Sequence, residues 1–194
     1  MKYAGFWKRL SSILIDVLVF SPVFLLRVWL DSVSRTTALF AAVTYIILVA
    51  TYHIWFVAKY GQTPGKMAVG IKIVKVDGQP VSWKEAFLRH SVNIVLAIIN
   101  GIVLCYAITQ ITESEYISLS WKIRNHRIYE FYPAWINTMS DIWGWSEVVV
   151  LLFNKKKRAL HDFIAGTVVI HTRTGTANTG VDTGAENISA QVTP

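Results

Sequence analysis

Cysteine is nearly absent. Cys105 stands alone inside an apolar run, so the chain has no disulfide framework and no cysteine-based metal spacing. Charge is thin as well. Only 16% of the 194 residues are charged, against 53% hydrophobic, where soluble domains carry about 25% charged residues. Acids are the scarcer sign, 12 against 19 bases, for a net charge of +7. That excess would suit nucleic acid, but apolar segments of spanning length assign it to a membrane surface, and no nucleic-acid partner is expected. No small-residue cleavage site follows the first apolar run, where Arg27 and Asp31 stand instead, so the run is expected to stay as an anchor. The segment Gly61-Gln62-Thr63-Pro64-Gly65-Lys66 lacks the glycine spacing and following hydroxyl residue of a phosphate loop and reads as a defined turn. His161-Asp162 is the one adjacent His–acid pair, with no second histidine at metal spacing and no nucleophile elbow. Neither catalytic residue, cofactor nor metal is expected, and the chain is not read as an enzyme.

What is present is apolar length. A membrane-spanning helix needs about 20 residues, and four stretches offer them, at about 8–30, 39–58, 90–111 and 134–153. The fold class expected is an all-α integral membrane protein: a four-helix transmembrane bundle with a small cytoplasmic hairpin and amphipathic surface segments. Residues 1–171 form the transmembrane domain, with 59–89 as its cytoplasmic segment. Residues 172–194, with little apolar content, read as a disordered tail.

Each span carries polar groups that lipid would not tolerate alone. Arg9 and Asp16 are seven apart, on one helix face with Ser12 between them. Asn93 and Asn100 share a face of the third span. Asn137, Asp141 and Glu147 share a face of the fourth, the most polar of the set, for which a re-entrant or surface helix is the alternative. Arg9 is expected to face Asp162 and to reach toward Asp16, and His161 with Asp162 to fix the junction after the fourth span.

Between the spans, Val69, Ile71, Ile73 and Val76 alternate before the turn Asp77-Gly78, as a strand or hairpin does. The strand-like stretch Thr167 to His171 is its expected partner. Ser82 and Glu85 have capping-box spacing. The aromatic segment 112–133 suggests a short interfacial helix through Ile117, Trp121 and Arg124, with Pro133 opening the next helix.

Basic residues divide unevenly. Segments 1–9, 59–89 and 155–173 hold three, six and five, fourteen on one side; 27–35 and 122–127 hold two and three, five on the other. The positive-inside rule places both termini in the cytoplasm, where the basic face attracts anionic lipid.

These residues resemble the RDD family of bacterial membrane proteins. The likeness rests on Gly5-Phe6-Trp7, Arg9, Ile15-Asp16, the Gly61-to-Lys66 turn with residues 69–72, Leu160-His161-Asp162 and residues 165–169. It implies that Arg9, Asp16 and Asp162 are the family's arginine and two aspartates, and it implies transport, with cation–proton antiport in some members. The expected function is an inner-membrane, multi-pass protein acting as a small cation/proton transporter through intramembrane carboxylates. The alternative is a non-transporting anchor, assembly or regulatory subunit. The candidate polar network is Arg9, Ser12, Asp16, Asn93, Asn100, Asn137, Asp141, Glu147, His161 and Asp162. Expected partners are the lipid bilayer, anionic lipid, a second copy or another membrane protein, and a monovalent cation or proton.

Overall fold

The structure, a computed structural model, describes residues 2–172; beyond Thr172 the expected disordered tail lies outside the described residues. Helix α1, Phe6–Val33, runs through Pro22, and after Ser34 the chain turns into α2, Arg35–Tyr60. The turn is built by a capping box. The Ser34 hydroxyl accepts from Thr37 N–H at 3.1 Å, and Thr37 Oγ1 accepts from Ser34 N–H at 3.0 Å. Gly61 closes α2 at φ +68°, donating its N–H to the Val57 carbonyl at 2.9 Å. A Cβ at Gly61 would sit 2.8 Å from the Ile73 carbonyl oxygen, so glycine serves both the left-handed cap and the close approach of the next strand.

A short helix α3, Pro64–Ala68, and strand β1, Ile71–Lys75, follow. Helix α4, Trp83–Thr109, starts at the Ser82–Glu85 capping box and continues unbroken through the third apolar run. The sequence places the third span at about 90–111, after a separate segment opened by the Ser82 and Glu85 spacing. No glycine or proline interrupts 83–100, so the two merge into one helix about 40 Å long. The 112–133 segment forms α5, Glu113–Ser118, and α6, Trp121–Glu130. Helix α7, Ala134–Phe153, lies where expected, followed by α8, Leu160–Ile164, and β2, Thr167–His171.

Strands β1 and β2 pair antiparallel, with Ile73 opposite Val169, and Tyr3 bridges Ile170. Their apolar face joins Ala4, Val57, Val81 and Ala86 in a small buried core. This cap ties the chain start, the turn after α2 and the last strand to one end of the helices. At the other end, Ala38, Ala107, Ile108, Ile111, Tyr116 and Ile128 form a second core under α5 and α6. There Arg35 donates to the Ile111 carbonyl at 2.9 Å and Tyr116 to the Asp31 carbonyl at 3.0 Å.

Helices α1, α2 and α4 are long and apolar enough to cross a membrane. Leu14, Leu18, Phe40, Ile47 and Ile102 lie exposed on them, as lipid-facing side chains do. Helix α7 is not one of the three. It lies antiparallel along the cap-side part of α4. The Tyr132 hydroxyl donates to the Asn100 carbonyl at 3.3 Å, Asn100 Nδ2 to Ser140 at 3.5 Å, and Trp143 Nε1 to Asn93 Oδ1 at 2.9 Å. It thus begins beside Asn100, nine residues or about 13 Å short of the end of α4. Of the four expected spans, three are long and apolar enough to cross a membrane, and the fourth, expected to be the most polar, is shorter and falls outside that set.

Candidate functional site

Asp162 is wholly buried at the start of α8, under the cap. Its Oδ2 accepts from Arg9 Nη1 at 2.7 Å and from the Ala159 N–H at 2.9 Å. Its Oδ1 accepts from Arg89 Nη1 and, at 3.3 Å, from the Thr167 hydroxyl. Burial alone would raise the Asp162 carboxyl; Arg89 and Arg9 beside it hold it well below the usual carboxylate range. The carboxylate pins α1, α4, α8 and β2 together. Arg89 also donates through Nη2 to His161 Nε2 at 2.7 Å, while His161 Nδ1 faces Glu147 Oε1. Since Arg89 has only protons to give, Nε2 accepts and Nδ1 carries the ring proton toward Glu147. Burial, then the neighbouring Arg89, push His161 below its usual value, which agrees with that neutral ring.

Asp16 occupies a separate pocket. Its Oδ1 accepts from the Tyr52 hydroxyl and the Gly65 N–H, both at 2.8 Å, and its Oδ2 from the Thr63 hydroxyl at 2.6 Å. The turn that starts α3 is therefore a lid on α1. Pro64 fixes its first helical position, and Gly65 lets the backbone come close. A Cβ there would overlap the Ser12 carbonyl oxygen and lie 2.7 Å from Asp16 Cγ.

The expectation that Arg9 reaches toward Asp16 is corrected here. Arg9 spends its guanidinium on the cap side, donating to Asp162, to the Lys157 carbonyl at 2.6 Å and to the Ala4 carbonyl at 3.4 Å. Thr63 and Gly65 fill the space beside Asp16 instead. The two aspartates have separate partner sets.

Between them lies a chamber of about 210 Å³, lined by Arg9, Ser12 and Ile13 of α1, His53 of α2, Lys66 of α3, Arg89, His90 and Asn93 of α4, Glu147 of α7, His161 and Val169. Ile13 and Asn93 are the exposed members of this lining. Lys66 contacts Thr63 Oγ1 at 3.3 Å; burial, then Arg89, bring its ammonium down to about 8. The rings of His53 and His90 lie 5.1 Å apart.

Of the residues singled out from the sequence, Arg9, Ser12, Asn93, Glu147 and His161 meet at this chamber, and Asp16 and Asp162 brace its walls. Buried Ser12 donates to the Arg9 carbonyl at 2.7 Å. Asn100 stands apart, bonding Leu96 and Ser140. Asn137 and Asp141 lie on an exposed face of α7, away from Glu147.

Arg89, Lys66, Tyr52, Thr63 and His90 were not singled out as site residues. Starting the third helix at His90 left Arg89 in a charged loop. The usable signal was the run Ala86, Arg89 or His90, Asn93, Ala97, Asn100, which continues one helix face back to the capping box.

The model of the RDD family matches residues 3–166. Two relatives come from Bacillus subtilis (strain 168). "Uncharacterized protein YckC" is 29% identical over 185 residues, covering 93% of each chain. "Uncharacterized membrane protein YteJ" is 25% identical over 184 residues, covering 88% of this chain and 82% of the relative. No solved structure gives a significant match.

Proposed function

We propose that this chain, which belongs to the RDD family of proteins, is a small proton-coupled membrane carrier whose exchange site is the chamber bordered by Lys66, Glu147 and His161. The observation that carries this is the chamber itself, a polar space set between helices long and apolar enough to span a membrane. The proton exchange implied by the family likeness is kept, but its seat moves. Asp16 and Asp162 have their oxygens filled by fixed donors, which suits bracing better than exchange. Among the described residues Glu147 meets one hydrogen-bond partner, His161. A proton on Glu147 would compete with the His161 Nδ1–H, and His161 passes the change to Arg89 through Nε2. The groups facing this exchange are Arg9 and Asp16 from α1, His53 from α2, Lys66 from α3, Arg89 and His90 from α4, and Asp162 from α8.

The protein sits in the bacterial inner membrane with the cap and both termini cytoplasmic, supported by the fourteen-to-five division of basic residues. Three or four helices are few for alternating access, so the carrier works as an oligomer. Purified protein in sealed vesicles with an enclosed pH dye should move protons under an imposed gradient of sodium, potassium or phosphate. Flux no greater than in empty vesicles under all three, with folded protein, would sink the proposal.

One observation favours a second reading, a non-transporting assembly or regulatory subunit. Asn137 and Asp141 lie exposed on α7, and an acid facing lipid costs about 3 kcal/mol on insertion scales. A partner helix against that face would remove the cost.

A further inference from the structure

We propose that the chamber is an anion site, taking a small oxyanion of phosphate or carboxylate type between the Lys66 ammonium and the rings of His53 and His90. This rests on the chamber being the carrier's working site and names the substrate class it admits. The sequence suggested a monovalent cation; the hydrogen-bond inventory points to the opposite sign.

Lys66 has three N–H donors. Its one hydrogen-bond partner among the described residues is the Thr63 hydroxyl at 3.3 Å, and no carboxylate oxygen lies within 4 Å of it. The Thr63 proton is committed to Asp16 Oδ2, so Thr63 offers Lys66 only lone pairs. The rings of His53 and His90 also line the chamber, and among the described residues His53 Nδ1 and His90 Nε2 are shielded from solvent without a hydrogen-bond partner. Buried polar atoms without partners are rare in folded proteins, and here two of them belong to rings that border the same chamber as the Lys66 ammonium. Each of the three groups can donate a proton, and a neutral ring places its single N–H on whichever nitrogen the surroundings favour. What they lack in common is an acceptor.

The acids nearby do not supply it. Asp162 is taken by Arg9 and Arg89, and Asp16 by Tyr52, Thr63 and Gly65. Glu147, the chamber's acidic lining residue, turns Oε1 to His161. An entering cation would meet Lys66, Arg89 and Arg9 in a site of low dielectric. An oxyanion would meet donors already in place, with no rearrangement of the two braces. A volume of about 210 Å³ is that of roughly seven waters at about 30 Å³ each, room for a phosphate-sized ion with part of its hydration. Ile13 and Asn93 of the lining are exposed, so the chamber is reached from outside the protein, and the oxyanion is either a soluble ion or the phosphate of a lipid headgroup.

Binding carries a pH signature. An anion beside Lys66 favours the charged ammonium, so affinity should fall as pH rises through about 8. The other groups facing Lys66 are Arg9 and Asp16 of α1, His53 of α2, Arg89 and His90 of α4, Glu147 of α7, and His161 and Asp162 of α8.

The test uses the full chain in a neutral maltoside detergent at pH 7. Inorganic phosphate is titrated at constant ionic strength against chloride, and short-chain phosphatidylglycerol in a parallel arm, with heat as the readout. Saturable binding of either is expected. Phosphate alone identifies a soluble oxyanion, and the lipid alone a headgroup. Lys66→Met should weaken binding at least tenfold and at the same time raise the melting temperature, because an unpartnered ammonium is gone. Lys122→Met, at an exposed position on α6, should bind as the wild type does. If Lys66→Met does not fold, His90→Phe takes its place with the same tenfold loss expected. No binding of either probe to folded protein, or wild-type affinity in the substituted chain, overturns the anion site. Sodium-driven flux without phosphate binding would leave the carrier standing and remove the anion; phosphate binding without flux would do the reverse.

Discussion

Asp162→Ala should cost about 3–5 kcal/mol, enough to remove most folded protein from a detergent extract. Two guanidinium groups converge on this carboxylate, and the side chain is inaccessible to solvent. Deleting it leaves Arg9 and Arg89 buried near one another without a counter-charge. The Ala159 N–H and Thr167 hydroxyl lose an acceptor as well. Breaking a buried pair by removing one partner costs about that much because the remaining charge is uncompensated, and whole domains are stable by only about 5–15 kcal/mol. Arg9→Ala should cost less, because Arg89 still neutralises the acid. Asp162→Asn should fall between them: the shape is kept, but an amide N–H faces a guanidinium. Thermal melts followed by size-exclusion recovery rank the three, and an Asp162→Ala protein as stable as Arg9→Ala would contradict the arrangement. The sign in pH follows from the depressed carboxyl. Its contribution is present in full above the unfolded value of about 3.9 and is lost as pH falls below it toward the lower folded value. Between pH 7 and 5 this group should leave stability flat.

Gly65→Ala, the addition of one methyl group, should cost about 3 kcal/mol or more. The added carbon would overlap the Ser12 carbonyl oxygen and crowd Asp16 Cγ and the Asp16 backbone nitrogen, at 2.7 and 2.9 Å. Two of these are backbone atoms of α1 and cannot swing aside. Helix α3 must lift instead, and it carries the Gly65 N–H and Thr63 hydroxyl away from the Asp16 carboxylate. Overpacking costs about 1–3 kcal/mol, and each hydrogen bond to a charged group about 1.5–3 kcal/mol. Gly5→Ala, where a Cβ meets nothing within 4 Å, is the control and should stay within about 0.5 kcal/mol. Melting curves of the two glycine variants make the comparison; equal melting temperatures would mean that the turn does not clamp α1.

The sequence made some of this architecture legible, for local reasons. A carboxylate inside an apolar run demands a partner, so Asp16 stood out, and Arg9 with Asp162 followed from their positions at the helix ends. The Ser82–Glu85 spacing marked the start of α4, and the alternation around Ile73 with the run Thr167–His171 anticipated the β1–β2 pair. The partners of Asp16 were less visible. Tyr52 lies 36 residues away among the modest polar groups of the second span, and Thr63 and Gly65 read as turn formers; only the fold shows that the turn closes onto α1. The chamber was hidden for a similar reason. Lys66, His53 and Arg89 come from three separate segments, and each has an ordinary local explanation as a basic or interfacial residue. Asn137, Asp141 and Glu147 show the limit of spacing: Glu147 turns inward while the other two lie exposed.

The central claim is that Asp16 and Asp162 brace the chamber while Glu147 exchanges the proton. Its most direct test compares Asp16→Asn and Glu147→Gln in sealed vesicles at matched amounts of folded protein, read as the initial rate of proton movement under whichever gradient drives the wild type. Asparagine at 16 keeps an oxygen for Tyr52 and Gly65, so Asp16→Asn should retain most of the flux and lose only some stability. Glu147→Gln should fold and carry no flux above empty vesicles. Abolished flux in folded Asp16→Asn, with Glu147→Gln active, would contradict the account and return the exchange to the aspartate inside the first helix.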